Sequence, residues 1–111
     1  MIENILTAAG VKHRQGRFPQ PPAGTYAVYF DNVETDGADP VGVPVGVKLP
    51  RIYRHSCRVE LYEPKPDPIS EAAVEAALTV WGLTWTKEDR YWLQDVQRYQ
   101  VLYTFEYTNK E

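Results

Sequence analysis

Three groups of residues in this chain have types and spacings that could carry chemistry. The first is His55 and Cys57, two positions apart, with His13 the only other histidine and Cys57 the only cysteine. A thiol nucleophile needs a base beside it and electropositive surroundings. A zinc site needs about four ligands at set spacings, and three Cys and His residues in all do not supply one. Cys57 alternates with Val59 and Leu61, which reads as the inward face of a strand, so it is expected to be a core thiol. The second group is Asn32-x-Glu34-x-Asp36-Gly37, which opens like a calcium loop with oxygen donors at positions one, three and five and glycine at six. Its twelfth position is Val43 instead of a bidentate glutamate, and no helical pattern precedes Asn32, so a solvated or interface loop is the better reading. The third is the interleaving of bases with aromatics in DRYW and RYQVLYTFEY, suitable for stacking on nucleic-acid bases. A tyrosine face on one strand is more commonly core or oligomer contact. A net charge of −3 also disfavours a general nucleic-acid binder. GVPVGVK lacks the spacing of a phosphate loop, and no paired-carboxylate or Ser-His-Asp arrangement stands out. The expectation is a protein that is not an enzyme, with no cofactor and no metal.

Charge is segregated along the chain. Asp31, Glu34, Asp36 and Asp39 fall within nine residues that hold no base, and Lys48, Arg51, Arg54 and Arg58 fall within eleven that hold no acid. Two oppositely charged surfaces suit a heterologous contact between like subunits, in which different patches meet. These eight residues are therefore the candidate subunit or partner interface. An acidic loop would instead repel nucleic-acid phosphates. A single cysteine allows no intramolecular disulfide and fits a reducing compartment. The N-terminal stretch carries Glu3 and no sustained apolar run, which is not a secretory pattern. No run approaches the roughly 18 apolar residues of a membrane span, so the cytosol is the expected compartment.

At 111 residues the chain is expected to form a single domain, 1–111. Ile2, Ile5, Leu6 and Ala9 recur at helical spacing, with Gly10 placed to end a short helix. Residues 12–25, basic and then Pro-rich, read as an extended connection. Thr25–Phe30 reads as a strand, and 31–50 as extended loops, with Val41–Leu49 a mobile loop or an edge strand. Arg54–Tyr62 alternates as a strand. Asp67 can cap a helix that begins at Pro68, with Ser70 a competing cap. Val74, Ala77, Leu78 and Trp81 form its apolar stripe, Glu71 sits in its first turn, and Gly82 suits its end. Leu83–Trp85 reads as a short strand, Lys87–Trp92 is ambiguous, and Arg98–Tyr107 is the strongest strand pattern of all. The expected fold is α+β: a mixed or antiparallel sheet of about four strands, with a central helix and a short N-terminal helix on one face.

All nine prolines lie between Pro19 and Pro68, and six of the seven glycines precede Val47. The skew divides a loop-rich half from a half that supplies a helix and the longest strand. Limited loop freedom lowers the ordering cost of a contact, so the first half is where partners are expected to touch.

From about Lys12 to the C-terminus, the blocks PPAGTYAVYFDNVETDGADP, RHSCRVELYEPKPDP, EAAVEAAL and WTKEDRYWLQDVQRYQVLYTFEYTNK resemble a family of small tailed-bacteriophage and prophage proteins. These are the tail terminator, or tail completion, proteins of the head–tail joining region. The resemblance implies an α+β subunit that assembles into a ring, a hexamer in the lambda-type terminators. Such a ring caps the tail tube, stops its polymerisation and joins it to the head. The implied partners are further copies of the chain, the tail tube protein and a head-completion or connector protein, with DNA passing through but not specifically bound. The implied location is the tail or neck of a virion assembled in the bacterial cytoplasm. Another head–tail joining protein, a stopper or adaptor, is the nearest alternative. A small nucleic-acid-binding domain using 12–17 and 48–58 is a more distant one.

Overall fold

The computed structural model describes residues 1–35 and 52–110, the last of them by its backbone alone. The expected loop or edge strand at Val41–Leu49 lies outside the described residues. In chain order the elements are α1 (Ile2–Ala9), β1 (Lys12–Gln15), β2 (Tyr26–Thr35), β3 (Ile52–Glu63), α2 (Pro68–Val80), β4 (Trp85–Leu93) and β5 (Arg98–Lys110). They build one five-stranded mixed sheet in the order β1-β2-β3-β5-β4. β1 pairs parallel to β2, and every other neighbour is antiparallel.

The extra strand is β1. Its sequence, KHRQ, has no β-branched or aromatic residue, so nothing in it reads as a strand. It is ordered by its neighbour: Lys12 to Gln15 run in register with Tyr26 to Tyr29. The Pro-rich stretch is then the connection that returns the chain to a parallel neighbour. It lies against the sheet, with the Phe18 ring edge-on to Tyr26 at 5.4 Å and Arg98 Nη2 donating to the Ala23 carbonyl at 3.2 Å. A second difference is the length of β2, which continues through Asp31–Thr35 where a loop was expected. β3 holds those residues as a second strand: Asp31 lies opposite Cys57 and Thr35 opposite Tyr53.

Both helices cover one face of the sheet. Ile2, Ile5 and Leu6 of α1 and Val74, Ala77 and Leu78 of α2 pack on Ala27, Tyr29, Cys57, Val59, Leu61, Val101, Tyr103 and Phe105. These sheet residues are alternate positions of β2, β3 and β5, so strand periodicity alone selects the face. Gly10, at φ 74, closes α1 with its N–H on the Leu6 and Thr7 carbonyls. At the start of α2, Asp67 accepts from Ser70 N at 3.1 Å and from the Ser70 hydroxyl at 2.7 Å. Ser70 thus supports the cap instead of competing with it. The Thr25 hydroxyl also donates to Asp67, and these donors, those of Ser70 first, hold its carboxyl below the usual range. Trp81 departs from the expected stripe. It caps the helix end and is 43% exposed, because the chain turns away at Gly82.

At the other end of α2 the sheet buries charge. Glu63, fully buried, ends β3, and Glu71, nearly so, faces it from the first turn of α2. Arg90 of β4 bridges them, with Nε 3.1 Å from Glu63 and Nη2 on Glu71. Lys87 adds bonds of 2.9 Å to Glu71 and 3.0 Å to Glu75, and the Tyr103 hydroxyl donates to Glu75 at 2.9 Å. Burial, then the neighbouring Glu71, pushes the Glu63 carboxyl up to about 7 despite Arg90. Burial also opposes ionisation of Glu71, but hydrogen bonds from Glu63, Arg90 and Lys87 outweigh it and hold that carboxyl below its usual range. Glu63 therefore carries a proton when folded across a range where the unfolded chain has lost it. Its contribution to stability is complete below about pH 4.5 and is lost as pH rises to about 7. Urea titrations should show stability falling by on the order of 1–3 kcal/mol across that window. Glu63→Gln, which keeps the shape without the titration, should flatten the slope; an unchanged slope in that variant would place its origin elsewhere.

Candidate functional site

The last core residues toward one end of the sheet are Cys57 and Phe105. Beyond them β2, β3 and β5 continue as a three-stranded arm, whose described side chains are half-buried or exposed. Strands of 12 and 13 residues run about 40 Å, whereas the 13 residues of α2 cover about 20 Å. The arm follows from that mismatch. It carries three of the eight interface candidates, Asp31 at its root and Glu34 and Arg54 further out; Arg58 lies just before it, and Asp36, Asp39, Lys48 and Arg51 lie outside the described residues.

The acidic and basic segments are the two paired strands of one antiparallel ladder. Glu34 lies in register opposite Arg54, and Phe30 opposite Arg58. Arg58 places its guanidinium 4.5 Å over the Phe30 ring and its Nε 3.1 Å from Glu60. Any pairing of these segments between subunits therefore competes with partners inside the chain. Residues Asp31–Thr35 are extended, so they do not form the turn that a calcium loop requires. Among the described residues, no cluster of three or more His, Cys, Asp or Glu side chains could hold a metal.

Asp31 instead joins His55 and Cys57. Its carboxylate lies 3.0 Å from His55 Nδ1 and accepts from the Cys57 thiol at 3.6 Å. His55 Nε2 lies 2.8 Å from Asn109 Oδ1, and the imidazole stacks on Tyr107 at 4.2 Å. The residue types are those of a thiol relay, but the order is not. The carboxylate sits between thiol and imidazole, where a relay needs the imidazole between the other two. Burial first, then the Asp31 charge, pushes the Cys57 thiol up to about 12, away from the thiolate a nucleophile needs. What the cluster does is lace three strands together at the root of the arm.

The sequence pointed to His55 and Cys57 through spacing, but Asn109 and Tyr107 join them only through the register of β3 on β5. The Glu63–Glu71–Arg90 network had a fainter signal. Glu63 continues the inward alternation of Cys57, Val59 and Leu61, and Glu71 precedes Val74 and Leu78 on the buried stripe. An acid on each of two converging apolar faces points to a buried charge pair.

No family model matches the chain, and no curated protein matches it. Among solved structures, a chain from "Virion of native gene transfer agent (GTA) particle" superposes with a TM-score of 0.59. The match covers 96% of this chain and 84% of that one at 13% sequence identity. The likeness is one of fold: nearly the whole of this α+β chain has a counterpart in a virion component.

The thiol geometry makes a direct prediction. Native protein at pH 8 should react with iodoacetamide at least 100-fold more slowly than protein in urea, because Cys57 is buried and its thiol holds its proton. Asp31→Ala removes the acceptor shared by thiol and imidazole and should cost about 1–3 kcal/mol in urea unfolding. Rapid alkylation of the native protein would contradict the placement of Cys57.

Proposed function

We propose that the chain is a structural subunit of a tailed phage or prophage neck, a tail terminator-like protein with no catalytic role. The observation that carries this reading is the match over 96% of the chain to a virion component. The resemblance of the sequence blocks to tail completion proteins supports the same reading, and the tail–head joint in particular. In this reading copies of the chain form a ring, a hexamer once assembled. The ring sits on the end of the tail tube, stops its growth and offers its other surface to a head-completion or connector protein. Its partners are itself, the tail tube protein and that connector. DNA passes through the ring without being specifically bound, and assembly takes place in the bacterial cytoplasm.

The physical form of the subunit supports the role. A rigid sheet backed by helices on one face holds its ends at fixed positions, as a ring needs. The three-stranded arm extends from the packed core, with exposed Val33 at its side, and could reach a second protein. Deleting the gene from the phage or prophage that encodes it should give tails of uncontrolled length that lack heads, as seen by electron microscopy. Headed particles with tails of normal length would contradict the reading.

A further inference from the structure

We propose that the two free edges of the sheet are the subunit contact: β4 of one copy pairs antiparallel with β1 of the next, so that the sheet continues from subunit to subunit. This rests on the ring reading above and names the surfaces the ring would use. Among the described residues no strand lies outside β1 or β4, and an open edge presents unpaired N–H and C=O groups that another chain can satisfy. β1 runs parallel to β2, while β4 runs opposite to it through β3 and β5. A second copy that extends the sheet therefore sets its β1 antiparallel to β4. The contact joins two different surfaces, the heterologous kind that closes rings.

The edges also match in height and charge. Arg14 shares a row of the sheet with Val28, Glu60, Leu102 and Glu88. By the same path Lys12 shares a row with Tyr91, and Gln15 with Lys87. A copy placed level would set Arg14 beside Glu88 and Lys12 beside Tyr91. In sequence β4 looks neutral here, Lys87-Glu88-Asp89-Arg90. In the fold Lys87 and Arg90 are spent on the Glu63–Glu71–Glu75 cluster. The charges left over are Glu88 and Asp89, both exposed and without an ion pair among the described residues. β1 offers the complement, exposed Lys12 and Arg14, likewise unpaired among the described residues. Between Glu88 and Tyr91 the register of β4 shifts. Such a bulge defends an edge against indiscriminate pairing, and here it leaves Glu88 and Lys87 in regular register for a short ladder.

Disulfide trapping tests the contact. Arg14→Cys and Glu88→Cys proteins, made separately and mixed under mild oxidation, should form a mixed covalent dimer, and a chain carrying both substitutions should form a ladder of multimers. Arg14→Cys mixed with Thr104→Cys, exposed on a central strand, should not cross-link. Native mass spectrometry of the unmodified protein separates the two claims. A multimer without the Arg14–Glu88 disulfide overturns the edge pairing and leaves the ring reading standing. A monomer at all concentrations with no disulfide overturns the edge pairing alone, since a ring can be templated by the tail tube; the gene deletion above is what overturns the ring reading.

Discussion

The architecture depends on Arg90 standing between two buried carboxylates. Glu63 closes β3 and Glu71 opens α2, and the packing of helix on sheet takes both out of water. Two buried carboxyls that face each other are tolerable only if one keeps its proton or a cation joins them, and this chain does both. Removing the guanidinium would leave an uncompensated buried charge, the costly way to break such a group. Because Arg90 comes from β4, the same bonds hold an otherwise exposed strand to the rest of the domain. Since Lys87 is drawn in as well, the outward charge of β4 is set from within the core.

The two ends of the sheet are then unlike. One end is tied by charge buried beneath α2. At the other, past Cys57 and Phe105, the tie is a hydrogen-bonded lattice of Asp31, His55 and Asn109, with Tyr107 stacked on the imidazole. That lattice spans β2, β3 and β5, so the arm can project beyond the helices without a core of its own. Within the arm the segregated charges face each other across one ladder, Glu34 opposite Arg54. The asymmetry that looks in sequence like two distant surfaces is, over the described residues, a pair of neighbouring strands in one ladder. In this account assembly falls to the lateral edges, and the arm is left to meet a different protein.

Local signals were legible where local physics decides. Gly10 ends α1, Asp67 and Pro68 begin α2, and alternation fixes the inward faces of β3 and β5. Long-range partners decided the rest. Lys12–Gln15 is a strand only because β2 lies beside it, and Asp31–Thr35 only because β3 does. Trp81 fits the helical stripe by spacing, yet the turn at Gly82 takes it off the core. The outward acidity of β4 was invisible because it depends on which of four consecutive charged side chains the core consumes. Part of the skew in Gly and Pro falls in the connection from β1 to β2, and the residues proposed above for the subunit contact, Lys12 and Arg14, precede it.

Hydrogen–deuterium exchange on concentrated and diluted protein would test the edge-paired subunit most directly. Assembly should slow exchange of backbone amides in Lys12–Gln15 and Trp85–Leu93 together, while amides of the central strands β3 and β5 stay as protected as before. Protection that grows elsewhere while both edges exchange as fast as in the dilute protein would contradict the account.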